Sequence, residues 1–237
     1  MQQRLERQGA ATTLLPLIDI LPLSLSPAAR DRLLNLDRYD FVFYVSTNAA
    51  RIGLDAIHQW WPQYPAHIRN FTVGPGTAAV LQARGLSASY PDERMTSEAM
   101  LALPALHYIS GKKALIVRGA GGREIIAEGL LARGASVDYA ELYERAVPRH
   151  DPQWLHDLLQ HEWPDAVVVS SGEALDNLKH LLAPLSAQWQ GLPLAVSSPR
   201  LAEHAVALGF AAPRVLPGAG DETIIAGLRS DFGRQGS

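Results

Sequence analysis

The fold is decided by the stretch Ala114-Leu-Ile-Val-Arg118-Gly119-Ala-Gly121-Gly122-Arg123-Glu124-Ile-Ile-Ala-Glu-Gly-Leu-Leu131. Its first four residues are apolar, as is typical of a buried strand in a parallel sheet. A glycine-rich turn follows, and four apolar side chains then mark one face of a helix: Ile125, Ile126, Leu130 and Leu131. Gly134 ends this helix, and residues 137–143 indicate the next strand. The stretch therefore predicts a βαβ unit of about thirty residues.

The turn of this unit is suited to an anion. Backbone N–H groups and the guanidinium groups of Arg118 and Arg123 meet at the start of a helix, where the helix dipole favours negative charge. We therefore expect both arginines, together with Gly119, to bind an anion. In the alternative, either arginine pairs with Glu124 or Glu128, and the turn is only a tight connection.

A dinucleotide site is a further interpretation of the same turn. Gly119 and Gly121 lie between a strand and a helix, and Glu141 follows at about the spacing of a ribose-binding acid. However, Glu124 occupies the third glycine position, where its carboxylate would oppose a pyrophosphate. A nucleotide is therefore less favoured here than another anion.

The composition limits the class of protein. The chain has 237 residues, of which 47% are apolar and 19% charged, so it can form one large core or two domains of about a hundred residues. A net charge of −3 argues against nucleic-acid binding. The polar N-terminus shows no signal segment, and no run of eighteen apolar residues predicts a membrane span. We expect a soluble, cytoplasmic α/β protein without a nucleic-acid or membrane partner.

The residue types that hold metals are also sparse. The chain has no cysteine, and none of its 8 histidines forms a pair four residues apart. The lack of cysteine excludes iron–sulfur clusters, thiolate zinc sites and cysteine nucleophiles. We therefore expect no metal site.

The order of elements predicts two similar domains. Predicted strands alternate with helices, so the sheets should be parallel. Val45-Ser46 recurs as Val169-Ser170, and later positions repeat at the same offset of about 124 residues. The repeat predicts two flavodoxin-like domains, one of them discontinuous. Their predicted bounds are 1–20 with 149–237, and 38–140, with 21–37 and 141–148 as a two-strand hinge around a cleft that suits a ligand.

The same repeat leaves the discontinuous domain one strand short. Residues 12–20 are predicted to be one of its strands, interrupted by Pro16. The counterpart of strand 114–117 is missing from it. In a sheet of order 2-1-3-4-5 this first strand is interior, between residues 14–18 and 166–169. We therefore expect that the discontinuous domain lacks its first strand because the given chain starts late. Either the natural gene begins upstream, or residues 1–20 depart from the usual arrangement and activity is impaired.

Polar turns follow five of the predicted strands. The carboxyl ends of parallel strands share one edge of a sheet, where ligands bind. N–H and hydroxyl donors with few carboxylates at such an edge complement a flexible polyanion. Each serine has helix capping as its alternative role. The predicted substrate-binding residues are Ser46, Thr47, Gly74, Thr77, Arg118, Gly119, Arg123, Ser170, Ser171, Ser198 and Arg200.

The order and spacing of these motifs resemble the uroporphyrinogen-III synthase family. The resemblance is carried by Val45-Ser46, Val73-Gly74, Thr77-Ala78, Ser97-Glu98, residues 116–124, Tyr143-Glu144-Arg145 and residues 169–172. It implies two α/β domains joined by two strands. It also implies a monomeric enzyme of haem biosynthesis that closes hydroxymethylbilane, a tetrapyrrole rich in carboxylates, without a cofactor.

The implied reaction loses the hydroxyl of the first ring and inverts the fourth ring before closure. Because the bilane also closes unaided to the wrong isomer, the implied work of the enzyme is largely positioning. A transient contact with the preceding enzyme of the pathway is implied as well. The alternative is a non-catalytic, hinged two-domain binding protein or sensor for a small anion.

The resemblance assigns a catalytic role to Tyr143. The family has a functionally important tyrosine at this point, proposed to assist departure of the hydroxyl. A phenol, with a reference pKa of about 10, is protonated at neutral pH and can donate its proton. The alternative is an aromatic residue that only packs at the hinge.

Overall fold

The computed structural model describes residues 1–92, 95–161, 163–184, 187–218 and 220–232. The chain forms two compact α/β units. The larger comprises residues 20–146, and the smaller comprises residues 1–19 together with 147–237. Segments 21–37 and 141–146, predicted as connectors, are thus grouped with the larger unit.

Helices and strands alternate along the described residues, as expected for the α/β class. The helices are Gln2–Glu6 (α1), Pro27–Leu34 (α2), Thr47–His58 (α3), Pro75–Gln82 (α4), Ser97–Leu101 (α5), Ile125–Leu131 (α6), Pro152–His161 (α7), Gly172–Leu182 (α8), Pro199–Leu208 (α9) and Asp221–Phe232 (α10). The strands are Asp19–Pro22 (β1), Phe41–Tyr44 (β2), Arg69–Thr72 (β3), Ala88–Ser89 (β4), Lys113–Gly119 (β5), Ser136–Ala146 (β6), Val167–Val169 (β7), Leu194–Val196 (β8) and Arg214–Val215 (β9). Within these residues, no helix combines the length and hydrophobicity needed to cross a membrane.

The sheet of the larger unit has the order β1-β6-β5-β2-β3-β4. Its pairs from β6 to β4 are all parallel. If β5 and β6 are counted as strands 1 and 2, and β2, β3 and β4 as strands 3, 4 and 5, the order across the sheet is 2-1-3-4-5. This is the doubly wound order that was expected for this domain type. The winding direction therefore reverses between β5 and β2, and this point positions the candidate site.

The core of the larger unit lies on both faces of β2. Phe41 and Phe43 belong to the apolar cluster on one face, and Val42 and Tyr44 to the cluster on the other. This alternation follows from the two-residue period of a strand. All four side chains are buried, and burial of each large apolar side chain stabilises the fold by roughly 1.5–3 kcal/mol. Strand β2 is thus the centre of a three-layer unit.

The βαβ unit predicted from residues 114–143 is present as β5, α6 and β6. Residues 114–117 are buried, as the apolar run indicated. The expected apolar face of α6 is partly wrong, because Ile126 and Leu130 are buried but Leu131 is 55% exposed. Leu131 lies one residue beyond Leu130, so it is rotated about 100° from that face.

The smaller unit contains the parallel sheet β7-β8-β9. Its core is formed by side chains of β8, α8 and α9, with Trp189 and Phe210 in edge contact at a centroid distance of 5.2 Å. In the described part of the chain, β8 is the one strand paired with β7.

The predicted strand over residues 12–20 is wrong for most of its length. Residues 10–18 form no regular element, and β1 begins only at Asp19. Pro16 has no N–H to donate to a ladder. Instead, its carbonyl lies 2.6 Å from Nε2 of His150, and the carbonyl of Leu17 accepts from Asn177 at 2.8 Å. Side chains of the smaller unit therefore replace strand pairing here.

Gly53 allows α3 to approach the sheet closely. A Cβ atom at this position would lie 2.6 Å from Cγ1 of Val117 and 3.3 Å from Cε1 of Tyr44. We expect Gly53→Ala to lower the stability of the larger unit by about 1–2 kcal/mol, because overpacking outweighs the gain in helix propensity. Gly76→Ala is the control, since its nearest atom would be Thr47 Cγ2 at 4.0 Å. Hydrogen exchange of the β5 amides in urea measures the change. Equal stability of both variants would contradict this account of α3 packing.

Candidate functional site

The candidate site lies at the carboxyl ends of β5 and β2, where the winding of the larger sheet reverses. Ligands of doubly wound sheets bind at such a point. Gly119 ends β5, and Ser46 follows β2 as the N-cap of α3. The Ser46 Oγ atom accepts a hydrogen bond from the Ala49 N–H at 3.0 Å. The helix cap therefore fixes this hydroxyl at the switch point.

Tyr143 reaches this point because of a bulge in β6. The register pairs Arg118 with Glu141 but Gly119 with Tyr143, so β6 carries one extra residue, Leu142. Leu142 and Tyr143 are consecutive, yet both are buried in the same cluster as the helix α3 residues. In a regular strand they would point to opposite faces. The bulge thus turns Tyr143 onto the face of the sheet that carries Ser46.

Tyr143 is held tightly where it lies. It is 2% exposed, and its hydroxyl is 3.0 Å from the Ser46 Oγ atom, with either oxygen able to donate. Its ring packs on Gly119, where a Cβ atom would come within 2.6 Å of the ring atom Cε2. The Tyr143 carbonyl accepts from the Ala120 N–H at 2.7 Å. The glycine turn and Tyr143 therefore fix each other's position.

Arg118 is buried beneath the same turn. Its side chain donates to the Gly119 carbonyl at 3.2 Å, to Glu124 Oε1 at 2.8 Å, and to the Gly121 carbonyl. The guanidinium carbon lies 4.9 Å from the ring centroid of Tyr139. Only 6% of Arg118 is exposed. Its hydrogen bonds are thus directed inward, towards its own turn.

Tyr139 and Glu124 complete this cluster. The Tyr139 hydroxyl donates to Glu124 Oε2, and this bond together with the one from Arg118 lowers the pKa of the Glu124 carboxyl. Burial first, and then the bond to Glu124, raise the pKa of Tyr139 to about 12. The cluster therefore consists of a cation, an anion and a neutral phenol.

Arg123 differs from Arg118 although both belong to the turn. It is exposed, and its guanidinium forms no hydrogen bond or ion pair with the residues that the structure describes. Its attraction lowers the pKa of the Glu98 carboxyl only as a minor cause, after hydrogen bonds at that helix start. Arg123 is therefore the turn arginine that an anion can reach.

The turn after β3 lies beside the turn after β2. Gly74 is the buried N-cap of α4, and Thr77 in the first turn of that helix is buried as well. Thr47 is exposed, and its methyl group is the nearest neighbour of a Cβ atom built at Gly76. The structure therefore brings together the predicted residues Ser46, Thr47, Gly74, Thr77 and Gly119 at one edge of the larger unit.

In the smaller unit, the predicted serines serve partly as helix caps. Ser171 Oγ accepts from the Ala174 N–H at 3.2 Å, and Ser198 Oγ accepts from the Leu201 N–H at 3.3 Å. The remaining predicted residues, Ser170 and Arg200, are exposed. The capping alternative therefore holds for Ser171 and Ser198.

Two groups were missed in the sequence. Tyr139 could have been found from the predicted βαβ unit, because it pairs with Ile116 of the neighbouring strand. Ile116 lies two residues before Arg118, so the side chains of Arg118 and Tyr139 lie on the same face of the sheet. His204 and Asp176, joined at 2.7 Å between Nε2 and Oδ1, lie on different helices. Their spacing of 28 residues gives no pattern that would reveal the pair.

A cavity of about 260 Å³ lies at the opposite edge of the larger sheet. The ion pair of Arg32 with Asp138, at 3.2 Å, lies in its wall, and the Tyr39 hydroxyl donates to the same carboxylate at 3.0 Å. Burial is the main cause that raises the pKa of Tyr39. Since this cavity lies at the amino ends of β5 and β6, it is separate from the candidate site.

Comparisons with known proteins agree on one family. The family model described as "Uroporphyrinogen-III synthase HemD" matches residues 1–225. Uroporphyrinogen-III synthase of Escherichia coli K12 is 35% identical over 236 residues, which cover 95% of this chain and 93% of the relative. The protein of the same name in Salmonella typhimurium LT2 is 34% identical, over 95% and 93%.

Solved structures give the same fold. Uroporphyrinogen-III synthetase from Helicobacter pylori matches with a TM-score of 0.62 at 13% identity, over 91% of each chain. A mutant uroporphyrinogen III synthase from Thermus thermophilus matches with a TM-score of 0.59 at 17% identity, over 97% of this chain and 91% of the other. At these identities the likeness establishes the two-domain α/β fold.

The raised pKa of Tyr139 predicts a dependence on alkaline pH. A group whose pKa is raised by folding contributes stability below its ordinary pKa, here 10, and this contribution is lost as the pH rises towards 12. We expect a tyrosine resonance titrating near pH 12 in ring-labelled NMR spectra, and its loss in Tyr139→Phe. In Glu124→Gln the same resonance should titrate at lower pH, because the carboxylate that raises the pKa is gone. Titration of Tyr139 near pH 10 in the unmodified protein would contradict the cluster described above.

Proposed function

Because the chain belongs to the uroporphyrinogen-III synthase family, we propose that it closes hydroxymethylbilane to uroporphyrinogen III in haem biosynthesis. The family match spans residues 1–225, and relatives carrying this name are similar along nearly their whole length. The alternative of a non-catalytic anion sensor is not favoured, because these relatives are named as synthases.

The reaction determines what the site has to do. The C–O bond of the hydroxymethyl group breaks, water leaves, and the fourth ring is inverted before the macrocycle closes. No electrons are gained or lost overall, so no redox cofactor is part of the proposal. Since the bilane closes unaided to isomer I, the enzyme must mainly orient its ends, and orientation can supply several kcal/mol of the barrier.

Tyr143 is the proposed acid for loss of the hydroxyl. The observation that carries this assignment is the Tyr143–Ser46 hydroxyl pair, held at 3.0 Å at the switch point of the sheet. The phenol proton leaves with the departing oxygen as water, and the Ser46 hydroxyl keeps its own proton and donates a hydrogen bond to the phenolate. The proton released when the ring closes restores the phenol. The pair thus returns to its starting state after each turnover.

The carboxylates of the bilane require donors around this pair. In the larger unit, the exposed guanidinium of Arg123 and the backbone of the glycine turn are available to them. The polar turns after β2 and β3 lie at the same edge. The proposed binding residues are Ser46, Thr47, Gly74, Thr77, Gly119 and Arg123, and in the smaller unit Ser170, Ser171, Ser198 and Arg200.

The proposal also includes a cytoplasmic, monomeric enzyme with a hinge between its domains. Transient contact with the enzyme that supplies hydroxymethylbilane is part of it, because a substrate that closes unaided favours rapid transfer.

The activity is tested with freshly made hydroxymethylbilane. We expect isomer III to dominate the products, with isomer I rising only in a reaction without protein. Chromatographic separation of the two isomers gives the answer. If the protein leaves isomer I as the sole product, the enzymatic function is refuted.

Tyr143→Phe should slow isomer III formation by about 10²- to 10⁴-fold, which is typical for loss of a general acid. The ring and its packing on Gly119 remain, so the fold should be retained. Tyr108→Phe is the matched control, because Tyr108 is 97% exposed. Initial rates are measured at saturating substrate, with circular dichroism as the test of folding. A loss of less than about fivefold would reduce Tyr143 to a packing role.

A further inference from the structure

We propose that Arg118 is a positioning residue, which holds the glycine turn against Tyr143, and that Arg123 is the turn arginine that contacts a substrate carboxylate. This division of roles rests on the proposed function. It replaces the expectation from the sequence that both arginines bind the anion directly.

The donors of the Arg118 side chain are occupied. Its three nitrogens donate to the Gly119 and Gly121 carbonyls and to Glu124. The side chain of Glu141 lies nearby, with Oε1 3.7 Å from Nε. One face of the guanidinium is covered by the Tyr139 ring. A buried cation requires such partners, so a substrate carboxylate would have to displace them.

The hydrogen bonds of Arg118 hold a turn that is rich in glycine. Gly121 and Gly122 have φ values of 70° and 105°, a backbone region that favours glycine. A turn made of glycines loses more conformational freedom on folding than any other, so it needs restraints. Arg118 binds carbonyls at two positions of the turn and a carboxylate at its end. The guanidinium therefore acts as a template for the turn.

The glycine turn is in direct contact with Tyr143. The Tyr143 ring packs on Gly119, and its carbonyl accepts from the Ala120 N–H. Both contacts involve turn residues directly after Arg118. If the turn relaxes, the ring loses one wall and its hydroxyl no longer stays aligned with Ser46. Arg118 thus acts on the reaction through Tyr143 and not through the substrate.

Glu124 and Tyr139 orient the guanidinium of Arg118. Glu124 accepts from Arg118 through one oxygen and from Tyr139 through the other. The carboxylate is half exposed, whereas the guanidinium is buried. Glu124→Gln therefore tests the same support with less disturbance of the core than a change at Arg118.

Arg123 provides the matched comparison within the same turn. It is exposed, and within the described part of the chain its guanidinium forms no hydrogen bond or ion pair. Contacts of exposed charges are screened by salt, whereas the buried Arg118 contacts are screened much less. Ionic strength therefore separates the two roles.

The experiment compares Arg118→Lys with Arg123→Ala in steady-state formation of isomer III. Lysine keeps the charge but not the fork of donors. We expect Arg118→Lys to lower kcat by about 10- to 100-fold, as for loss of hydrogen bonds to a charged group, with KM within about threefold of the original value. Arg123→Ala should raise KM by about tenfold, less at high salt, with little change in kcat.

A second measurement does not depend on activity. Hydrogen exchange of the Ala120 amide reports whether the turn stays on Tyr143. We expect exchange at least about tenfold faster in Arg118→Lys and unchanged exchange in Arg123→Ala. If the unmodified protein forms no isomer III, the proposed function fails, but this measurement still tests the positioning role.

Two outcomes would overturn the inference. One is a salt-dependent rise in KM for Arg118→Lys with unchanged Ala120 exchange, which would make Arg118 a substrate contact. The other outcome concerns Glu124→Gln, which takes the place of Arg118→Lys if that variant does not fold. The inference requires a lower kcat and faster Ala120 exchange in Glu124→Gln. Unchanged values for both in Glu124→Gln would refute the support that the cluster gives to the turn.

Discussion

The candidate site depends on one irregularity, the extra residue of β6 opposite β5. Without it, Tyr143 would follow Tyr139 and Glu141 onto the face that carries α6. With it, Tyr143 turns to the face of α3 and meets the Ser46 hydroxyl. The phenol and the guanidinium of Arg118 therefore occupy opposite faces of the same sheet, and the glycine turn passes between them. The proposed chemistry is possible only in this arrangement.

Much of the fold followed from the sequence because its signals are local. Residues 114–117 are an apolar run bounded by turn residues, and they form the central part of β5. Ser46, Ser171 and Ser198 precede helices and cap them, as serines do. The repeat suggested two units, and residues 114–117 lie between two parallel neighbours in the larger one. Patterns within about twenty residues were sufficient for these features.

The rest required information that is not local. The segment before Ile20 has apolar residues suited to a strand, but its backbone carbonyls accept from His150 and Asn177, far away in the sequence. The register shift beside Gly119 has no sequence signal of its own, because Leu142 and Tyr143 fit either face of a strand. Arg118 was named as an anion-binding residue from its position in a turn. Its burial became visible only with the Tyr139 ring and the Glu124 carboxylate in place.

The packing of Tyr143 on Gly119 also limits the rate at which the tyrosine ring rotates. A tyrosine ring can rotate by half a turn about its Cβ–Cγ bond only when its surroundings briefly make room. Here the wall is the backbone of Gly119, which has no side chain that could swing aside. Each half-turn of the ring therefore requires the backbone at Gly119 to move. The rate of ring rotation then reports how often this part of the site opens, and it can be observed in the resting protein without any substrate.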